Sequence, residues 1–239
     1  MSDLRLKTKK LDWDSDFFKM NIGELALSKL EEISQISLND NFDLIYVTAP
    51  FELCNTYKFS YSGTKIVFFK TLESCIICEN NYSDIFIIDV NYYQKFEKQL
   101  KELAYLSGHC SRFFKDPLFK KSDFKKLYDK WLENAINKTH DNVFLVCHDS
   151  LKNIPCALLT GTIKELVSTA KVGLFAVHGS HQGKGLGKKI LHYFEQLAIN
   201  SMCDSALVPT QKENLVANSF YEALGYFASP TQFIYHYWK

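Results

Sequence analysis

The sequence has no apolar run approaching the roughly 20 residues that a helix needs to cross a bilayer. Its opening, MSDLRLKTKKLDWDSD, also lacks the apolar stretch of a signal peptide. Both absences predict a cytoplasmic protein without a membrane partner. An excess of one charge is missing too: 28 Lys and Arg stand against 27 Asp and Glu, a formal net charge of +1, and neither half is basic. A nucleic-acid binder concentrates positive charge on one face, so a small molecule is the expected partner. Internal repeats and low-complexity linkers are absent. Cys75 and Cys78 form a CxxC, but no second ligand pair completes a zinc site, and the pair sits in the apolar run SCIIC rather than at a helix start. No metal is expected. Seven cysteines scattered among Val, Ile and Leu suit a reducing compartment, where cysteine packs as a small hydrophobe.

What is present is a chain of 239 residues, 46% hydrophobic, long enough to bury one large core or two smaller ones. Residues 1–84 show short apolar runs at 22–27, 42–47 and 65–70 around a helical stretch near 30–36, which reads as a small N-terminal α/β domain. Trp13, Phe17 and Phe18 read as an apolar anchor for the first strand. From Ile85 the order changes to strand, helix, helix, three strands, helix, strand, helix, strand, which defines a second domain over residues 85–239. Its first helix carries Phe96, Leu100, Leu103 and Ala104 on one face and stops near Gly108; its second carries Phe124, Leu127, Tyr128, Trp131, Leu132 and Ala135 and stops near Asn137. The three strands that follow read as an antiparallel meander, so the fold class is α/β (α+β) with a mixed, mostly antiparallel sheet.

The segment VGLFAVHGSHQGKGLGKKILHYFEQLAI is a strand, a tight glycine loop and an amphipathic helix. Gly183, Gly185 and Gly187 remove Cβ atoms where backbone N–H groups at a helix start must approach an anion closely. Lys188 and Lys189 in the first turn oppose the helix dipole unless an anion binds there. The loop is not a Walker A loop, which needs GxxxxGK followed by Ser or Thr. Nor is it a dinucleotide fingerprint, which comes early in a parallel βαβ unit.

Gln182-Gly183-Lys184-Gly185-Leu186-Gly187 resembles the Q/R-x-x-G-x-G/A pyrophosphate loop of the GNAT acetyltransferases. Downstream, Asn214-x-x-Ala217-x-x-x-Tyr221-x-x-x-Gly225-Tyr226 is similar to that family's N-x-x-A-x-x-x-Y-x-x-x-G-F helix. The resemblance implies the GNAT fold over residues 85–238, acetyl-CoA as cosubstrate, and backbone pairing of its pantetheine arm with Leu174, Phe175 and Ala176. It further implies that Gln182 to Lys188 bind the pyrophosphate, that Asn214 contributes to the donor site, and that Tyr221 is the general acid that protonates the departing thiolate. The thioester carbonyl would be polarised by backbone N–H groups near Phe175 to Val177.

A narrower resemblance lies in Leu11-Asp12-Trp13-Asp14-Ser15-Asp16-Phe17-Phe18, in Ser111-Arg112-Phe113 and in Tyr128-x-x-Trp131-x-x-Asn134. These are similar to the sugar-nucleotide N-acetyltransferases that act on dTDP-4-amino-4,6-dideoxygalactose (TDP-fucosamine), and they imply a nucleotide-linked amino sugar as acceptor, a place in glycan biosynthesis and a homodimer. Arg112 is then a clamp for a diphosphate, and Phe113 or Phe114 a stacking surface. The residues leave other acceptors open, an antibiotic, a polyamine or a protein amine, as well as a non-catalytic CoA-binding domain. For the base that takes the amine proton, His178 is the nearest titratable group in sequence to the thioester, with His109 and His148 behind it.

Overall fold

The computed structural model describes residues 8–38, 41–53, 58–73, 82–137, 142–149, 151–163 and 168–239. The CxxC at Cys75 and Cys78 lies outside these. The chain runs through β1 (Lys9–Lys10), α1 (Asp12–Phe18), β2 (Ile22–Ala26), a 3-10 helix (Leu30–Leu38), β3 (Leu44–Ala49) and β4 (Tyr61–Thr71). It continues with β5 (Ile85–Ile87), α2 (Val90–Lys95), α3 (Glu97–Ser107), α4 (Arg112–Lys115) and α5 (Lys121–Ile136). Then come β6 (Asn142–Asp149), β7 (Ile154–Ile163), β8 (Thr169–Val177), a 3-10 turn (Gly179–His181), α6 (Leu186–Asn200), β9 (Ser205–Thr210), α7 (Leu215–Ala223), β10 (Phe227–Ala228) and β11 (Gln232–Trp238).

One sheet takes strands from both segments, in the order β1-β2-β3-β11-β4-β9-β8-β7-β6-β5, with β10 beside β4. The C-terminal β11 lies between β3 and β4, antiparallel to both, and β4 in turn pairs with β9. The meander β6-β7-β8 is antiparallel, as the turn-rich connections predict. Among the described residues only β2–β3 and β8–β9 are parallel.

Helical faces pack where their periodicity puts them. Leu100, Leu103, Leu127 and Leu132 of α3 and α5 are buried on one face of the sheet with Phe144, Val146, Leu158 and Leu174. Ile190, Leu191 and Phe194 of α6 are fully buried on the other face with Leu145, Leu159, Ala170 and Val172. Each such side chain contributes about 1.5–3 kcal/mol through burial. Gly108 ends α3 beneath the Tyr128 ring, where a Cβ would come within 2.4 Å of that ring, so a larger residue would push α5 away from α3.

Two local expectations change. Residues 12–18 form a helix rather than an anchor of the first strand: Asp12 and Asp14 in its first turn suit the dipole, and Lys19 ends it in the left-handed region at φ 58°. Phe18 still packs inward, against Phe113 and Phe119. The first helix of the second segment is broken at Phe96 into α2 and α3, with Asp89 capping α2 through the Tyr92 amide.

Candidate functional site

Strands β8 and β9 pair only at Thr169–Ser205, Ala170–Ala206 and Lys171–Leu207. Beyond that the ladder stops and the sheet is split. On the β7 side, Leu159 faces Phe175 but Gly161 faces Val172, so Thr160 alone stands opposite Gly173 and Leu174: a β-bulge. His178 N–H donates to Cys156 O at 2.8 Å, so His178, and by alternation Ala176, turn their backbone groups to β7. Phe175 and Val177 therefore point theirs into the split. The Val177 carbonyl accepts from the Gln182 side chain at 3.0 Å.

A cleft of about 740 Å³ opens at this split. Its lining extends from Glu24 on β2 through Thr48, Tyr61, Lys65 and Ile234 to Lys171, Leu174 and Phe175 on β8, with Val208, Asn214 and Tyr221 on the far wall. From β2 to β8 is five inter-strand steps in the sheet order, about 24 Å at ~4.8 Å per step. The roof is α4 and α5, with Ser111, Arg112, Phe113, Tyr128, Trp131 and Asn134 on the lining. Tyr128, Trp131 and Asn134 reach it together because residues spaced by three share a helix face.

Tyr221 is 95% buried, with its ring 5.4 Å from Phe68 and 6.5 Å from Phe175. Burial pushes its hydroxyl well above the ordinary tyrosine range, so it keeps its proton. Asn214 caps α7: its Oδ1 accepts from Ala217 N at 3.4 Å, which fixes the start of the helix that carries Tyr221. The Arg112 guanidinium carbon lies over the Tyr46 ring, 3.9 Å from its centroid, and no salt bridge engages it among the described residues. Phe113 lines the cleft, and most of its ring is buried among Phe18, Tyr46, Phe119 and Trp131. Phe114 is exposed and packs with His109 and Phe124.

The glycine loop lies beyond the other end of β8. Gly183 and Gly185 have φ of 75° and 78°, and Gly185 is the N-cap of α6 without any side-chain cap. Gly187 faces Phe220, where a Cβ would stand 3.4 Å from the ring. No acid occupies the first turn of α6; Lys184 and Lys188 are exposed, while Lys189 is hydrogen-bonded to Asp84. The amides of this helix start are thus left to a ligand or to water.

None of the three candidate histidines lines the cleft. His178 is tied by Nδ1 to Ser180, His148 lies between Tyr92 and Asn153, and His109 packs on Phe114. Lining residues that the sequence did not suggest include Glu24, Thr48, Tyr61, Lys65, Thr160 and Lys171. Burial raises the Tyr61 hydroxyl to about 12, with Glu213 adding to the effect. Among the described residues there is no group of three His, Cys, Asp or Glu that could hold a metal, and no helix long and apolar enough to cross a membrane.

Residues 109–226 match the family model described as the acetyltransferase (GNAT) family. Over 90% of this chain and 84% of the other, the structure resembles a conserved protein of unknown function from Staphylococcus epidermidis ATCC 12228, at 15% identity and TM-score 0.60. It also resembles a putative GNAT-family acetyltransferase from Novosphingobium aromaticivorans DSM 12444, at 12% identity and TM-score 0.51 over 81% of this chain and 73% of that one. At these identities the likeness is one of fold. No curated protein matches the chain.

Proposed function

Residues 109–226 being an acetyltransferase domain of the GNAT superfamily, and the protein accordingly an N-acetyltransferase, we propose that its acceptor is the amino group of a nucleotide-linked amino-deoxy sugar, such as a dTDP-4-amino-4,6-dideoxyhexose. The observation that carries this reading is the lining of the cleft. Arg112, Lys65 and Lys171 stand against one carboxylate, Glu24, among the aromatic side chains of Tyr61, Tyr128 and Trp131. Asp14 and Glu213 are nearby but outside the lining; burial raises the Asp14 pKa and the Arg112 charge opposes that shift. Such a wall attracts a diphosphate and repels a polyamine or a polycationic antibiotic. The cleft is also longer than a simple amine requires. Every residue of Ser111-Arg112-Phe113 and of the Tyr128, Trp131, Asn134 set contributes to it.

Acetyl-CoA enters from the loop side. Its pyrophosphate meets Gln182, Gly183, Lys184, Gly185, Leu186, Gly187 and Lys188 at the start of α6, and its pantetheine arm lies along Leu174, Phe175 and Ala176 in the split. The thioester carbonyl takes a hydrogen bond from the backbone at Phe175. The uncharged sugar amine attacks the carbonyl carbon, a C–N bond forms, and the C–S bond of the tetrahedral intermediate breaks. The thiolate takes its proton from Tyr221, which burial keeps protonated, while the nitrogen gives up its extra proton to solvent in the cleft, from which the Tyr221 oxygen is reprotonated. Asn214 holds the start of α7 beside the donor.

The test is thiol release from acetyl-CoA in the presence of dTDP- and UDP-linked amino sugars and, separately, polyamines and aminoglycosides. Turnover confined to nucleotide sugars is the expected result; turnover of polyamines alone would overturn the reading.

A further inference from the structure

The bulge in β8 is held by a side chain. Leu174 N–H points toward β7 but donates to Thr160 Oγ1, at 2.8 Å, in a buried hydrogen bond. Thr160 itself is 94% buried and lies on the cleft lining. Gly173 fits against the same hydroxyl: a Cβ there would stand 2.9 Å from Thr160 Oγ1. A bulge leaves one residue without a ladder partner, and the hydroxyl supplies the acceptor that Leu174 would otherwise lack. Without it, a buried amide would be unsatisfied, which favours a slip of the strand back to regular pairing. A slip of one residue reverses which amides face the split.

We propose that Thr160 is a positioning residue for the transfer step: by holding the bulge at Gly173–Leu174, its hydroxyl keeps the Phe175 N–H turned into the split, where the thioester carbonyl of the donor accepts from it. Thr160 touches neither the thioester nor the amine; it acts through the backbone of β8. The inference rests on the reading that places the thioester carbonyl at Phe175.

A bound carbonyl reports this hydrogen bond directly. With acetyl-CoA labelled with carbon-13 at the carbonyl, infrared difference spectra of the wild-type complex should show the thioester stretch at lower wavenumber than in solution. Thr160→Ser, which keeps the hydroxyl, should retain the displacement. Thr160→Val, which keeps shape and loses the acceptor, should lose it while binding CoA within twofold of wild type; should the valine protein not fold, Thr160→Ala carries the same expectation. A stretch displaced as fully in the variants without a hydroxyl as in wild type overturns the role of Thr160 alone. No displacement in the wild-type complex, with acetyl-CoA bound, overturns the placement of the thioester and the inference with it.

Discussion

The guanidinium carbon of Arg112 lies 3.9 Å from the centroid of the Tyr46 ring, at the first residue of α4. Four residues on, Asp116 N–H donates to Arg112 O at 2.9 Å, and its carboxylate accepts from His236 Nδ1 at 2.6 Å and from Trp238 Nε1 at 2.9 Å. The position of Arg112 is thus set from below by β3 and from the side by the C-terminal strand. A guanidinium stacked in this way keeps its edge N–H groups available for a bidentate anion.

Arg112→Ala should raise KM for the nucleotide-linked acceptor about 10- to 100-fold, the scale of a lost charge-assisted hydrogen bond, while kcat and KM for acetyl-CoA stay within a few-fold. Arg112→Lys should restore little, because an ammonium neither stacks on Tyr46 nor forms a fork. Steady-state kinetics with both substrates varied separates these outcomes.

Tyr221→Phe removes the hydroxyl from a ring already packed between Phe68 and Phe175. The fold should be kept, and kcat should fall about 10²–10⁴-fold, the usual worth of a general acid. Calorimetric CoA binding should stay within twofold. An unchanged kcat would take Tyr221 out of the mechanism.

Gly185→Ala places a side chain at φ 78°. The strain of a left-handed residue, about 1–2 kcal/mol, falls on the start of α6, so acetyl-CoA should bind several-fold more weakly while KM for the acceptor hardly moves. Binding titrations of CoA and of dephospho-CoA fragments follow the loss.

Periodicity made α3, α5 and α6 legible, and glycines with lysines at one helix start pointed to an anion site before any geometry was known. Gly183 and Gly185 also take positive φ, which the reading from close approach did not specify. The far half of the cleft was not legible. Glu24, Thr48, Tyr61 and Lys65 reach it only because β11, the last strand, inserts between β3 and β4, a long-range pairing that no local pattern encodes. Phe113, beside Arg112 in sequence, lines the cleft with most of its ring in the core, and it is Tyr46, far away in sequence, whose ring lies under the Arg112 guanidinium. Asn214 sat at a site position by spacing, and its side chain serves as a helix cap.

His236 gives the protein an acid limit. Burial lowers its pKa from 6.5 to about 4, although the hydrogen bond with Asp116 opposes that shift. Burial also works against ionisation of Asp116, but the hydrogen bonds from His236 and Trp238 outweigh it and hold that carboxyl below its usual range. An unfolded His236 takes up a proton that the folded one refuses, so the stability it contributes is complete above pH ~6.5 and is lost as pH falls toward about 4, by up to about 1.4 kcal/mol per pH unit. Thermal unfolding from pH 7 to 4.5 should show a decline in Tm that is shallower in His236→Asn.

The cleft is proposed to hold the nucleotide as well as the sugar, and this sets the most direct test. Initial rates of thiol release from acetyl-CoA should be compared for a dTDP-linked 4-amino-4,6-dideoxyhexose and for the same amino sugar without its nucleotide. Contacts at Arg112 and the aromatic roof predict a kcat/KM at least about 100-fold higher for the linked sugar, as expected when roughly 3 kcal/mol of remote binding is used in the transition state. Equal kcat/KM for the two, or faster reaction of the free amine, would contradict the account.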